Sequence, residues 1–205
     1  MRSLLPPAVV LRESTGSVPD VASLPEELAL AAPFAEVRRR EFLATRHLAR
    51  AALRALGHHD AIVGIGPRRA PVWPPGVVGS ITHCAGYRAV AVSRADDLLA
   101  VGIDAEPAVP LEEGVADQVL LPAEAARLRD PVESAVVFSA KESVYKAWHP
   151  LTGAWLGFED VEVVLEEGTF VATTADTTTE GCFEVRDGLV RTAVTVRRPG
   201  PALPR

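Results

Sequence analysis

Cysteine is almost missing from these 205 residues: Cys84 and Cys182 are the whole complement, and neither lies in a C-x-x-C pair. That excludes a thiolate metal cage or a disulfide framework and makes a reducing compartment the simpler expectation. No apolar run is long enough to cross a bilayer. The opening stretch, 1–12, has a short apolar run, but Pro6-Pro7 interrupts it and no small-residue cleavage signal follows. The expectation is a cytoplasmic protein without a membrane segment. No internal repeat is visible, and no G-x-S-x-G elbow supports acyl-enzyme chemistry at Ser80 and His83. Lysine is scarcer still in relation to charge, because Lys141 and Lys146 stand against nineteen arginines and both fall within 138–148. An arginine cannot release its proton near neutral pH, whereas burial and neighbours tune a lysine into an acid, a base or a compact phosphate counter-charge. Lysine kept only here points to chemistry here.

The hydrophobic fraction of 48% suits one compact body or two tightly packed halves. The net charge of −6 hides an asymmetry: 38–69 carries eight arginines against Glu41 and Asp60, or +6, which leaves −12 for the rest. A concentrated arginine field on an acidic protein favours a small polyanion over nucleic acid. Arg38, Arg46, Arg50 and Arg54 lie four or eight apart, on one side of the helix expected from Pro33 to just before Gly57, and could converge on one anion. A solvated helix face explains that spacing equally well.

Ser23-Leu24-Pro25-Glu26 reads as a capping box ahead of a first helix. The glycine-, proline- and arginine-rich stretch 64–75 reads as a loop that shapes the mouth of a site. Strands are expected at 77–82, 88–93 and 99–104, helical structure between Pro122 and Trp148, and strands again at 161–165, 169–174, 182–186 and 190–196, with a hairpin turn at Asp187-Gly188. Helices followed by strands, twice over, indicate an α+β fold in two halves with a boundary near residue 110. The tail, 199–205, is expected to be loose.

Three segments carry chemistry. In Val101-Gly102-Ile103-Asp104-Ala105-Glu106-Pro107 an apolar strand ends in two carboxylates. Residues i and i+2 of a strand share a face about 6.5 to 7 Å apart, so Asp104 and Glu106 can reach one hard cation while Ala105 points away. An exposed acidic strand end is the blander explanation of that motif alone. On a helical wheel Val137, Phe138, Ala140, Val144, Tyr145, Ala147 and Trp148 form an apolar arc with Glu142 and Lys146 side by side at its edge. Lys141 falls inside the arc, where an ammonium must snorkel or meet an anion. In Gly79-Ser80-Ile81-Thr82-His83-Cys84-Ala85-Gly86-Tyr87, Thr82 and His83 could donate to phosphate oxygens.

Together these segments resemble the 4′-phosphopantetheinyl transferases of the larger class that serves siderophore, polyketide and nonribosomal-peptide synthases. The G-[IV]-D-x-E element is met by Gly102 to Glu106, and [FW]-[SC]-x-K-E-[SA]-x-x-K by Phe138 to Lys146. The segment from Gly79 to Tyr87, and Arg69-Ala70-Pro71-Val72-Trp73-Pro74, resemble the enterobactin-type branch. The resemblance implies transfer of the phosphopantetheine arm of coenzyme A to a serine of an apo acyl- or peptidyl-carrier protein, with release of adenosine 3′,5′-bisphosphate. It implies Mg²⁺ held by Asp104, Glu106 and Glu142, with Glu142 as base, directly or through water, and Lys146 offsetting charge on the leaving phosphate. Arg38, Arg46, Arg68, Thr82 and His83 would grip the phosphates and adenosine end, with Lys141 also near the phosphates. The implied fold is a monomer of two pseudo-symmetric halves, 1–109 and 110–205, each a small mostly antiparallel sheet packed with helices, with the active site at their interface. Arg68 stands where many relatives have lysine. Another Mg²⁺-dependent phosphate enzyme, or a noncatalytic coenzyme A or carrier-binding module, are the competing readings.

Overall fold

A computed structural model describes residues 1–198; the tail expected to be loose, 199–205, lies outside them. The fold is α+β, as expected, with every strand pairing antiparallel. Strand β1 (Val10–Thr15) is followed by helices α1 (Pro25–Ala31) and α2 (Glu36–Ala55). The 64–75 stretch contains the two-residue strands β2 (Gly64–Ile65) and β3 (Pro71–Val72), and β4 (Val77–Cys84) and β5 (Tyr87–Arg94) form a hairpin. β1, β5 and β4 make a three-stranded sheet in that order. Next come β6 (Ala100–Pro107) and helices α3 (Glu113–Val119), α4 (Pro122–Arg127) and α5 (Glu133–Thr152). Strands β7 (Glu162–Leu165), β8 (Thr169–Thr173), β9 (Thr178–Arg186) and β10 (Leu189–Val196) complete a five-stranded sheet ordered β6-β10-β9-β8-β7.

Sequence and structure agree on most of these elements. β1 and α3 were not anticipated, and the first capping box is built differently. Glu27, not Glu26, accepts the Leu24 N–H at 3.1 Å, while the Ser23 hydroxyl turns back to the Val21 carbonyl. The β9–β10 turn is the expected one, with Asp187 and Gly188 both at positive φ (53° and 72°), the conformation a tight hairpin requires.

α2 covers the first sheet because Phe42, Thr45, Ala49, Ala52, Leu53 and Leu56 recur at helical spacing and all are buried. Strand β6 has both faces covered, and its alternation decides what each face can hold. Val101, Ile103 and Ala105 enter the core shared with Leu5, Val9, Ala89 and Ala91, while Ala100, Gly102 and Asp104 face α5. Gly102 is required there. A Cβ on it would lie 1.9 Å from the Ser143 carbonyl oxygen and 2.9 Å from the Ala147 nitrogen, so its absence lets the helix rest on the strand backbone.

By hydrogen bonding β6 belongs to the second sheet, so the chain passes from one sheet to the other at the 95–99 turn. The free edge of β6 meets β4 without a backbone ladder. Ser80 and Thr82 take its place, their hydroxyls accepting the Ile103 and Ala105 N–H groups, each at 3.1 Å. Amides on a strand edge that would otherwise be buried unpaired are thereby satisfied. This seam between the sheets is where the functional side chains gather. No helix among the described residues is long and apolar enough to cross a membrane.

Candidate active site

Asp104 is the centre of the seam and is buried. Its Oδ1 accepts from Thr82 Oγ1 at 3.0 Å and from the Lys146 ammonium at 2.6 Å, and its Oδ2 accepts from Ser139 Oγ at 2.8 Å. The period of two in β6 and of 3.6 in α5 brings these groups together. Asp104 faces the helix one pleat beyond Gly102, while Ser139, Glu142 and Lys146 recur three and four apart along one side of α5.

The electrostatics are those of partly buried acids that repel one another around a single lysine. Burial, together with the charge of Asp104, pushes the Glu106 carboxyl up to about 7. Burial also raises Glu142, with Asp104 adding to the shift and Lys146 opposing it. Burial alone would depress the Lys146 ammonium, but Asp104, Glu142 and Glu106 together hold it above the ordinary lysine value. Among the described residues no three acidic, histidine or cysteine side chains are gathered closely enough to hold a metal ion as they stand. The Lys146 ammonium is the cation that contacts Asp104. The donor chemistry nevertheless fits a hard divalent cation, because desolvated carboxylate oxygens that repel one another are what such an ion binds.

Glu142 and Lys146 form one wall of a cavity of about 550 Å³ that opens between the two sheets. The opposite wall comes from the residues leading into α2, from α2 itself and from the β2–β3 turn, and includes Phe34, Arg38, Phe42, Arg46, Arg68 and Arg69. Of the three consecutive arginines Arg38 faces the cavity, whereas Arg40 turns to the Val18 carbonyl at 3.4 Å and Asp20 at 3.5 Å. Arg38 donates to His83 Nε2, and Glu41 lies 3.5 Å from both side chains. Burial and the Arg38 charge lower the His83 pKa, which favours the neutral ring, and Nε2 is then the acceptor because a guanidinium can only donate. Arg46 lies over the Phe42 ring at 4.2 Å and donates to the Val63 and Gly64 carbonyls at 2.9 and 3.3 Å, and burial lowers its pKa to about 10. Arg68 sits at positive φ (52°), as does Arg69 (64°), and its guanidinium lies 5.2 Å from the Trp155 ring.

Several expected residues are used elsewhere. Arg50 pairs with buried Glu27 and donates to the Ala22 carbonyl at 2.6 Å, so the α2 arginines do not converge on one anion. Thr82 does not line the cavity, because its hydroxyl is committed to the Ala105 N–H and Asp104. Lys141 is not brought to the cavity either. Its ammonium donates to Glu124 and the Val119 carbonyl, both at 2.8 Å, and to the Phe158 carbonyl at 2.9 Å. Glu124 in turn accepts from the Leu121 and Val163 N–H groups. Burial lowers the Lys141 pKa and the Glu124 carboxylate opposes the shift. The pair ties α4 and the start of β7 to α5, and Lys141→Met is expected to destabilise the fold by roughly 3–5 kcal/mol by leaving the Glu124 charge buried and unpaired. A urea-unfolding midpoint measures this. Sequence reasoning gave no role to Ser139, Glu41, Tyr145 or Trp155; Ser139 and Tyr145 both lie within the Phe138-to-Lys146 motif, but only Ser139 occupies one of its specified positions and so carried a signal.

A family model described as the 4′-phosphopantetheinyl transferase N-terminal domain matches residues 26–93. A second, described as the 4′-phosphopantetheinyl transferase superfamily, matches 100–196. The two meet at the turn where the chain changes sheet. Among curated relatives, 4′-phosphopantetheinyl transferase Npt of Nocardia iowensis is 46% identical over 171 residues, covering 81% of this chain and 77% of the relative. 4′-Phosphopantetheinyl transferase PptT of Mycobacterium tuberculosis is 42% identical over 199 residues, covering 87% and 88%. Enterobactin synthase component D of Escherichia coli is 38% identical over 134 residues, 62% of each chain.

Proposed function

The chain belongs to the 4′-phosphopantetheinyl transferase superfamily, and from that premise we propose that its cavity holds coenzyme A with the diphosphate turned toward Lys146 and Glu142, which line it, and toward Asp104, which does not line it but contacts Lys146. It is an enzyme that transfers phosphopantetheine to carrier proteins. In the reaction a serine oxygen of the carrier forms a bond to the phosphorus bearing the pantetheine arm. The bond from that phosphorus to the bridging oxygen breaks, and adenosine 3′,5′-bisphosphate departs with the electron pair.

The observation that carries this reading is the placement of Glu142 beside Lys146 on the cavity wall, with Lys146 2.6 Å from Asp104. Burial makes Glu142 a stronger base than a free glutamate, suited to taking the serine proton directly or through water. Lys146 is held protonated and offsets charge on the departing phosphate. Arg38, Arg46, Arg68 and His83 ring the far side of the cavity and supply donors for the nucleotide phosphates. Asp104, Glu106 and Glu142 would hold Mg²⁺, which when bound neutralises diphosphate charge.

The test is incubation with coenzyme A, Mg²⁺ and an apo carrier protein, followed by mass spectrometry of the carrier. Gain of the phosphopantetheine arm is expected. Free phosphate with an unmodified carrier, or coenzyme A binding without turnover, would overturn the reading. The same assay has a pH signature. A proton on Glu106 competes with a cation, so the Mg²⁺ needed for half-maximal transfer should rise as pH falls from about 8 to about 6 through the Glu106 titration near 7.

A further inference from the structure

An ionised carboxylate offers about four acceptor sites. Asp104 has three of its own taken, two on Oδ1 by Thr82 and Lys146 and one on Oδ2 by Ser139. Lys146 is the accessible partner: its side chain keeps 26% of its exposure and lines the cavity. The two hydroxyls are not accessible. Thr82 and Ser139 are 2% and 0% exposed, neither lines the cavity, and each is anchored from behind. Thr82 is fixed by the Ala105 N–H at 3.1 Å. The Ser139 carbonyl receives the Thr192 hydroxyl at 2.8 Å, and the two hydroxyl oxygens lie 3.0 Å apart. The anchors come from opposite sides of the seam, Thr82 from the three-stranded sheet and Ser139 from α5.

We propose that Thr82 and Ser139 are positioning residues that clamp the Asp104 carboxylate from the two halves, holding it in the orientation in which it would serve a divalent cation. This rests on the cation reading of the site given above. Neither hydroxyl touches the ion or the substrate. Each acts through Asp104, as groups that orient metal ligands do elsewhere, where their removal costs about 10- to 100-fold in metal affinity or activity.

The decisive measurement is Mn²⁺ binding to the full chain, by electron paramagnetic resonance in the presence of coenzyme A, for the wild type, Ser139→Ala, Thr82→Val and Thr82→Ser. Ser139→Ala and Thr82→Val should each weaken Mn²⁺ binding about 10- to 100-fold. Each should raise the Mg²⁺ required for transfer in parallel and leave KM for coenzyme A unchanged. Thr82→Ser, which keeps the hydroxyl, should restore wild-type affinity. A folded Ser139→Ala protein that binds Mn²⁺ as tightly as the wild type would overturn the clamp. Thr82→Val strips the Ala105 N–H of its partner, so if that variant does not fold Ser139→Ala alone decides. A wild type that binds no Mn²⁺ would instead remove the cation reading itself, an outcome distinct from equal binding by both proteins.

Discussion

Asp104→Ala and Glu142→Ala are each expected to lower phosphopantetheine transfer by roughly a thousandfold or more, a loss typical of removing a base or a preorganised electrostatic group. Far-UV circular dichroism should hardly change. The two losses have different origins. Asp104→Ala removes the acceptor on which Thr82, Ser139 and Lys146 converge, so it abolishes any cation held there and frees the lysine to drift. The fold should survive, because Lys146 is part-exposed and can reach water, while Ser139 and Thr82 keep their other partners. Glu142→Ala leaves that network intact and removes the carboxylate on the cavity wall. A carrier-modification assay, with an unfolding curve for each variant, separates lost chemistry from lost structure. Full activity in both variants would reject the assignment of these residues.

Gly102→Ala should be the most damaging single methyl group that can be added at the seam. The added carbon would sit 1.9 Å from the Ser143 oxygen, which is backbone of α5 and cannot rotate aside, so the helix must lift from β6. The expected cost is about 3 kcal/mol or more, the upper range for overpacking a filled interior. Transfer should fall as well, because the displaced helix carries Ser139, Glu142 and Lys146 away from Asp104. Gly114→Ala is the matched control: nothing lies within 4 Å of its added carbon, it is helical, and alanine there should be neutral or stabilising by up to about 1 kcal/mol. Urea midpoints for the pair should move in opposite directions or not at all for Gly114.

Much of the site could be read without coordinates, because the reading depended on short-range periodicity. Residues 104 and 106 share a strand face whatever the strand packs against, and 142 and 146 share a helix face. The apolar arc of α5 was likewise legible, as was the anomaly of a lysine inside it. What that lysine meets was not. Lys141 faces Glu124, Val119 and Phe158, groups 17 to 22 residues away, and nothing local distinguishes that arrangement from a phosphate-binding one. The arginines of α2 show the same limit. Their spacing placed them on one side of a helix, but whether Arg50 meets a ligand or Glu27 depends on how α1 folds back. Thr82 looked like a ligand donor because it ends a strand beside His83, yet the neighbouring strand edge claims its hydroxyl.

The amino-acid sequence by itself determined the chemical kinds on offer, the strand and helix that carry them, and the α+β class, since all of these follow from residue identity and repeat spacing. Tertiary structure alone decided which charges are spent on holding the protein together and which face the cavity. A buried charge or hydroxyl is claimed by whichever partner packing brings within hydrogen-bond reach, and those partners are set by contacts between segments distant in the chain.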